Sequence, residues 1–158
     1  MAEQHHKVIN SEDIILLKIN VFKKAIVAPE ESLNQSLEAR GYSFSFSQKN
    51  AFNHAQEAAR IRLYILLEVD NEDQSKSGIY GEFGIEFHYQ IKGLDNYTHQ
   101  IENDTHYYYP ELGITLLGIA YSTSRGIILQ ETRGTVLSAT GVILPVLNPN
   151  VLLQEGEE

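Results

Sequence analysis

The side chains able to do chemistry in this chain are few and scattered. The six histidines are His5, His6, His54, His88, His99 and His106, and none pairs at the spacing that places two imidazoles on one helix face. His88, His99, Asp104 and His106 could approach one another across a hairpin, where three imidazoles and a carboxylate would suit a borderline metal ion. Surface histidines, with no metal bound, are the simpler reading. A Gly-rich phosphate loop is absent, and Ser122 to Ser124 stands outside any nucleophile motif. Tyr107, Tyr108 and Tyr109 could stack a ligand, but three tyrosines ahead of an apolar helix more commonly cover its end. With no cysteine, disulfides and thiolate metal sites are excluded. These residues point to no enzyme, no metal and no cofactor, so any function must come from surfaces.

Composition narrows which surfaces. At 158 residues and 42% hydrophobic content, the chain reads as a single ordinary globular domain. A formal charge of -9 with only 12 Lys and Arg argues against nucleic acid, whose phosphates need clustered cations. The first stretch, MAEQHHKVIN, is polar and lacks the basic, apolar character of a leader, which together with the lack of cysteine places the protein in the cytoplasm. The expected organisation is a polar tail over 1–13, one domain over 14–153 and an acidic tail over 154–158, where Glu155, Glu157 and Glu158 are solvated.

The elements that must build those surfaces centre on Tyr109 to Leu147. Pro110 and Glu111 open a helix: proline suits the first position, and a carboxylate in the first turn offsets the helix dipole. Arg133 and Gly134 mark its stop, giving about six turns. Between Leu112 and Leu129 the one charge is Arg125, and the polar positions, Thr115, Ser122, Thr123 and Ser124, are all small. Gly118, Ser122 and Gly126 recur every fourth residue, and Ala120 with Ser124 forms a second row, so another backbone could approach closely. The expectation is a helix–helix interface between subunits. A membrane span has the same length, but Arg125 and the hydroxyls disfavour it. Beyond the helix, Val142, Ile143, Leu144, Pro145, Val146 and Leu147 form an apolar ribbon, with Pro145 and Pro149 barring a regular helix. It either packs on the protein's own core or lines a groove for apolar material.

The rest of the chain reads as strands. Ile14 to Val27 alternates imperfectly, with a kink or bulge near Lys23 and Lys24. Gly41 to Ser47 alternates Tyr42, Phe44 and Phe46 with serines. Asn50 to Arg60 is alanine-rich and suits either a short helix or a loop. Arg60 to Val69 is a further strand, followed by a turn over Asp70 to Asp73. Ile79 to Ile91 alternates apolar residues with Gly84, Glu86, His88 and Gln90, giving one core face and one wet face. With no helices between strands, parallel crossovers are ruled out. The fold class is α+β: a four-stranded antiparallel sheet with a long C-terminal helix on one face.

Two segments of this chain resemble the SecB preprotein export chaperones and their SecB-like relatives. Leu17 to Pro29 (LKINVFKKAIVAP) is similar to the family's first strand and the Ala-Pro pair that ends it. Arg133-Gly134-Thr135 through Pro145 to Leu152-Leu153 is similar to the exit of the long helix, the crossover loop and the last helix. The resemblance implies a homotetramer, a dimer of dimers joined through the long helix, that binds unfolded polypeptides or preproteins without ATP. It implies a groove involving Val142, Ile143, Leu144, Val146 and Leu147. The family's translocase motor docks on acidic positions of the first strand and a neighbour. Here the first-strand positions fall near Lys24 and Val27, and Glu82 matches the other. The last helix is cut to Asn150–Gln154. These departures are more like divergent relatives, some of which protect an antitoxin. A different class of function, an apolar small-molecule module, would require a cavity between sheet and helix.

Overall fold

The computed structural model describes residues 6–31, 41–139 and 143–154. Its centre is a four-stranded antiparallel sheet in the order β1-β4-β3-β2, formed by β1 (Ile14–Val27), β2 (Tyr42–Asn53), β3 (Ala58–Asp70) and β4 (Lys76–Ile91). A 3-10 turn at Leu94–Tyr97 leads to a small hairpin, β5 (Thr98–Glu102) and β6 (Thr105–Tyr108). The long helix α1 (Pro110–Glu131) follows, then the short helices α2 (Val136–Ala139) and α3 (Pro149–Gln154).

Period-two patterning sets the register. Ile61, Leu63, Ile65 and Leu67 of β3 lie opposite Phe87, Ile85, Phe83 and Gly81 of β4, so one face of the central strands is continuously apolar. Onto that face α1 lays Leu112, Leu116, Leu117, Ala120, Tyr121 and Ile128, all buried. Buried Tyr89 on β4 donates its hydroxyl to the Leu116 carbonyl at 3.1 Å, tying helix to sheet where no water could satisfy the phenol. Its burial pushes the phenol pKa up. The helix ends at Glu131, two residues short of the expected stop at Arg133, and has no basic residue in its last turn. Thr132 caps the Ile128 carbonyl through both its amide and its hydroxyl, and Gly134 takes a positive φ of 73°.

Two expectations are revised, and the bulge expected near Lys23 and Lys24 is met by the second of two register shifts in β1. The alanine-rich stretch after Asn50 is neither helix nor long loop: β2 runs on to Asn53 and β3 begins at Ala58. Cross-strand pairing overrides alanine's helix propensity, because Phe52 can then stack on Tyr108 at 4.4 Å between ring centroids. The irregularity in β1 falls between Val21 and Lys23, and it turns Phe22 to the outer face, where its ring packs edge-on against Tyr64 at 5.5 Å. Finally, that outer face is less wet than alternation implies. Phe22 covers Gly84, where an added Cβ would stand 2.5 Å from the ring, and Glu86 is buried beneath Arg62 and His88.

Candidate functional site

The apolar ribbon after α1 is held by an unusual set of donors. Its carbonyls belong to neither helix nor sheet, so side chains must satisfy them. Tyr42 at the start of β2 donates its hydroxyl to the Ile143 carbonyl at 2.6 Å, Arg125 Nε donates to the Leu144 carbonyl at 3.0 Å, and the Tyr121 hydroxyl donates to the Pro145 carbonyl at 2.7 Å. Burial raises the Tyr121 phenol to about 12, which keeps it a donor throughout the neutral range. The lone charge of α1 thus anchors the ribbon.

With the backbone fixed, the side chains divide between core and surface without a two-residue alternation. Leu144 is 3% exposed and belongs to the core, whereas Ile143 is 56% and Val146 79% exposed. Leu147 is half-buried against the core. The expected groove set is therefore divided: Leu144 is corrected to a core residue, because Arg125 pulls its carbonyl toward α1, and Ile143 and Val146 remain on the surface. Val142 lies outside the described residues. Beyond the ribbon, α3 sits against α1, with Pro149 facing Gly118, and presents exposed Val151.

The small residues of α1 divide as well. Ala120 and Ser124 are fully buried within the single chain, so neither can touch a second subunit; the expectation is corrected for both, because their stripe is the one turned to the sheet. Gly118 makes its close approach to the protein's own Pro149, where an added Cβ would stand 3.1 Å away. Ser122 and Gly126 are exposed, and among the described residues nothing lies within 4 Å of a Cβ built on Gly126.

Both outer strands, β1 and β2, have one unpaired long edge among the described residues. Strand β1 is also apolar on the surface, with Leu16, Leu17, Ile19, Val21, Phe22 and Val27 exposed. An open edge beside exposed apolar side chains is a template for another extended chain. Glu82, the acidic position on β4, is paired with Lys23 at 2.6 Å. Lys24 reaches Glu131 at the end of α1, also at 2.6 Å.

The histidine group read from sequence does not assemble. His88 bonds Glu86 on the outer face at 2.5 Å, and the His99 ring lies 5.2 Å from that of Tyr109. Instead His54, from the turn between β2 and β3, meets His106 of β6. Sequence reasoning also missed Tyr42, Tyr121 and Arg125 as anchors of the ribbon. Arg125 carried a signal, since a single charge within an apolar helix needs a partner.

A four-stranded antiparallel sheet crossed by one long helix is a fold shared with a solved SecB-like chaperone. That structure is the Mycobacterium tuberculosis Rv1957 SecB-like chaperone in complex with a ChAD peptide from the Rv1956 HigA1 antitoxin. The match has a TM-score of 0.55 at 14% identity and covers 86% of this chain and 91% of that one. No family model matches the sequence, and no curated protein matches it.

Proposed function

We propose that this protein is an ATP-independent holdase that binds unfolded polypeptide on the ribbon and the neighbouring open sheet edge. The observation that carries this reading is the ribbon itself. Tyr42, Arg125 and Tyr121 hold its backbone, and in doing so keep Ile143 and Val146 in water, a cost that only an apolar occupant would recover. A fixed ribbon beside an unpaired strand offers an incoming chain two sequence-tolerant contacts: apolar burial and backbone pairing. No bond is made or broken; the holdase lowers the concentration of free, aggregation-prone chain. The fold's likeness to a chaperone solved with an antitoxin peptide supports a polypeptide ligand.

Two finer features belong to this reading. Exposed apolar residues along β1 and the open helix face at Ser122 and Gly126 suit assembly into a homotetramer, which would give long clients several contacts at once. Client protection fits better than delivery to a translocase motor, because Lys24 and Val27 are not acidic and the Glu82 charge is offset by Lys23. We place the protein in the cytoplasm, where such clients would be met.

The test is light scattering of the purified protein, alone and with a reduced, unfolded polypeptide. A native mass of four chains with client co-eluting in soluble form is expected. A monomer indifferent to unfolded chain would overturn both assembly and holdase roles.

A further inference from the structure

We propose that His54, Asp95 and His106 form a binding site for a divalent transition metal ion of the zinc type. Three separate segments supply them: the β2–β3 turn, the 3-10 turn after β4, and β6. One ligand atom from each lies within 4.8 Å of the others. Two imidazoles and one carboxylate are a donor set of borderline softness that suits zinc, and they leave coordination positions for water. Magnesium and calcium, which prefer all-oxygen shells, would be held poorly.

Direct contacts already gather the three side chains, and a metal ion would take the place of the His54–Asp95 hydrogen bond. His54 uses both nitrogens: Nδ1 faces the Tyr108 hydroxyl at 3.0 Å, and Nε2 faces Asp95 Oδ1 at 2.5 Å. A second partner on the distal nitrogen is how proteins orient an imidazole ligand, so Tyr108 is a positioning residue. The His54 and His106 rings stack at 3.6 Å, 10° from parallel, a distance at which two imidazolium charges would repel. A shared metal cation would accept a lone pair from each ring. Ligation requires the rings to turn about their Cβ–Cγ bonds until the lone pairs converge, with His54 and Asp95 parting slightly and His106 closing in, to the roughly 3.4 Å separation of a tetrahedral site with bonds of about 2.1 Å.

Beside the cluster is an open cleft of about 550 Å³, also lined by Asn50, Asp104 and Thr105, which gives the ion access and room for water. A formal charge of -9 favours cation capture. Bound metal would tie the β2–β3 turn to the hairpin that feeds α1, where the Tyr109 amide already donates to the Tyr97 carbonyl at 2.9 Å. The site would act as a staple at one end of the sheet.

The full chain, freed of metal with a chelator, is titrated with Zn²⁺ by calorimetry, with Mg²⁺ and Ca²⁺ for comparison and Co²⁺ for its visible spectrum. One Zn²⁺ per chain with a raised Tm is expected. Affinity should fall about 100-fold or more in His54→Ala and His106→Ala, and about 10- to 100-fold in Tyr108→Phe. Asp95→Asn, at a side chain 84% exposed, tests the cluster without disturbing packing and should also weaken binding. His5→Ala with His6→Ala should leave binding intact. No Zn²⁺ binding, unchanged affinity in Asp95→Asn and His106→Ala, or loss only in the His5 and His6 variant would overturn the site.

Discussion

Consider replacing Ile143 and Val146 together by glutamate. The two side chains are 56% and 79% exposed, so only their remaining buried fractions stabilise the fold, and the unfolding free energy should fall by about 1–2 kcal/mol. A client that covers them would lose more. Fully burying such a side chain contributes about 1.5–3 kcal/mol, so the still-exposed fractions are together worth about 2–4 kcal/mol. That is about 30- to 1,000-fold in Kd, before the added cost of desolvating two carboxylates. Leu144→Ala is the control. Its side chain is 3% exposed, so truncation should cost about 2–5 kcal/mol of stability without removing any client contact. The assay is fluorescence anisotropy of a labelled, reduced polypeptide, paired with urea denaturation of each variant. If the double glutamate variant stays folded and still binds client with parental affinity, the ribbon is not the binding surface and the reasoning fails.

Other perturbations separate assembly from folding. A Cβ at Gly126 meets nothing within 4 Å among the described residues, so Gly126→Leu should raise helix stability by about 0.5–1 kcal/mol, while lowering the native mass if subunits meet on that face; an unchanged mass would place the interface elsewhere. Gly81→Ala would set a Cβ 2.6 Å from Leu137 Cδ1 and 3.0 Å from the Phe83 ring, so a loss of about 1–3 kcal/mol is expected by urea denaturation as α2 is pushed from the sheet. Glu86 is held below the usual carboxylate range mainly by its hydrogen bond from Arg62, with burial opposing and His88 assisting. Because its folded pKa is depressed, its contribution is complete above the unfolded value of about 4.3 and is lost as pH falls through the folded one. Urea midpoints of the parent and Glu86→Gln should therefore differ at pH 7 and converge at acid pH; a constant gap would contradict the linkage.

Much of the fold follows from local pattern. Strict period two in Ile79 to Ile91 and in Tyr42 to Phe46 commits each residue to a face, because a slip of one would turn the whole apolar set to water. Pro110, Glu111 and Gly134 bound the helix through backbone chemistry that needs no distant partner. The lack of helices between strands then leaves an antiparallel sheet with a helix across it. What sequence could not supply is which partner each exposed-looking residue finds. Ala120 and Ser124 look as suited to a second subunit as Ser122 and Gly126 do, and only the seating of α1 on β3 and β4 divides them. Leu144 and Val146 are equally apolar, yet Arg125 and Tyr121 bond consecutive carbonyls and so send one side chain inward and leave the other outside. His54 and His106 stand 52 positions apart, at opposite sides of two hairpins, and meet because the β2–β3 turn and the β5–β6 hairpin lie at the same end of the sheet. Periodicity is a property of neighbours along the chain and was therefore readable. Partner choice depends on side chains brought together across long loops, and that was decided by tertiary packing.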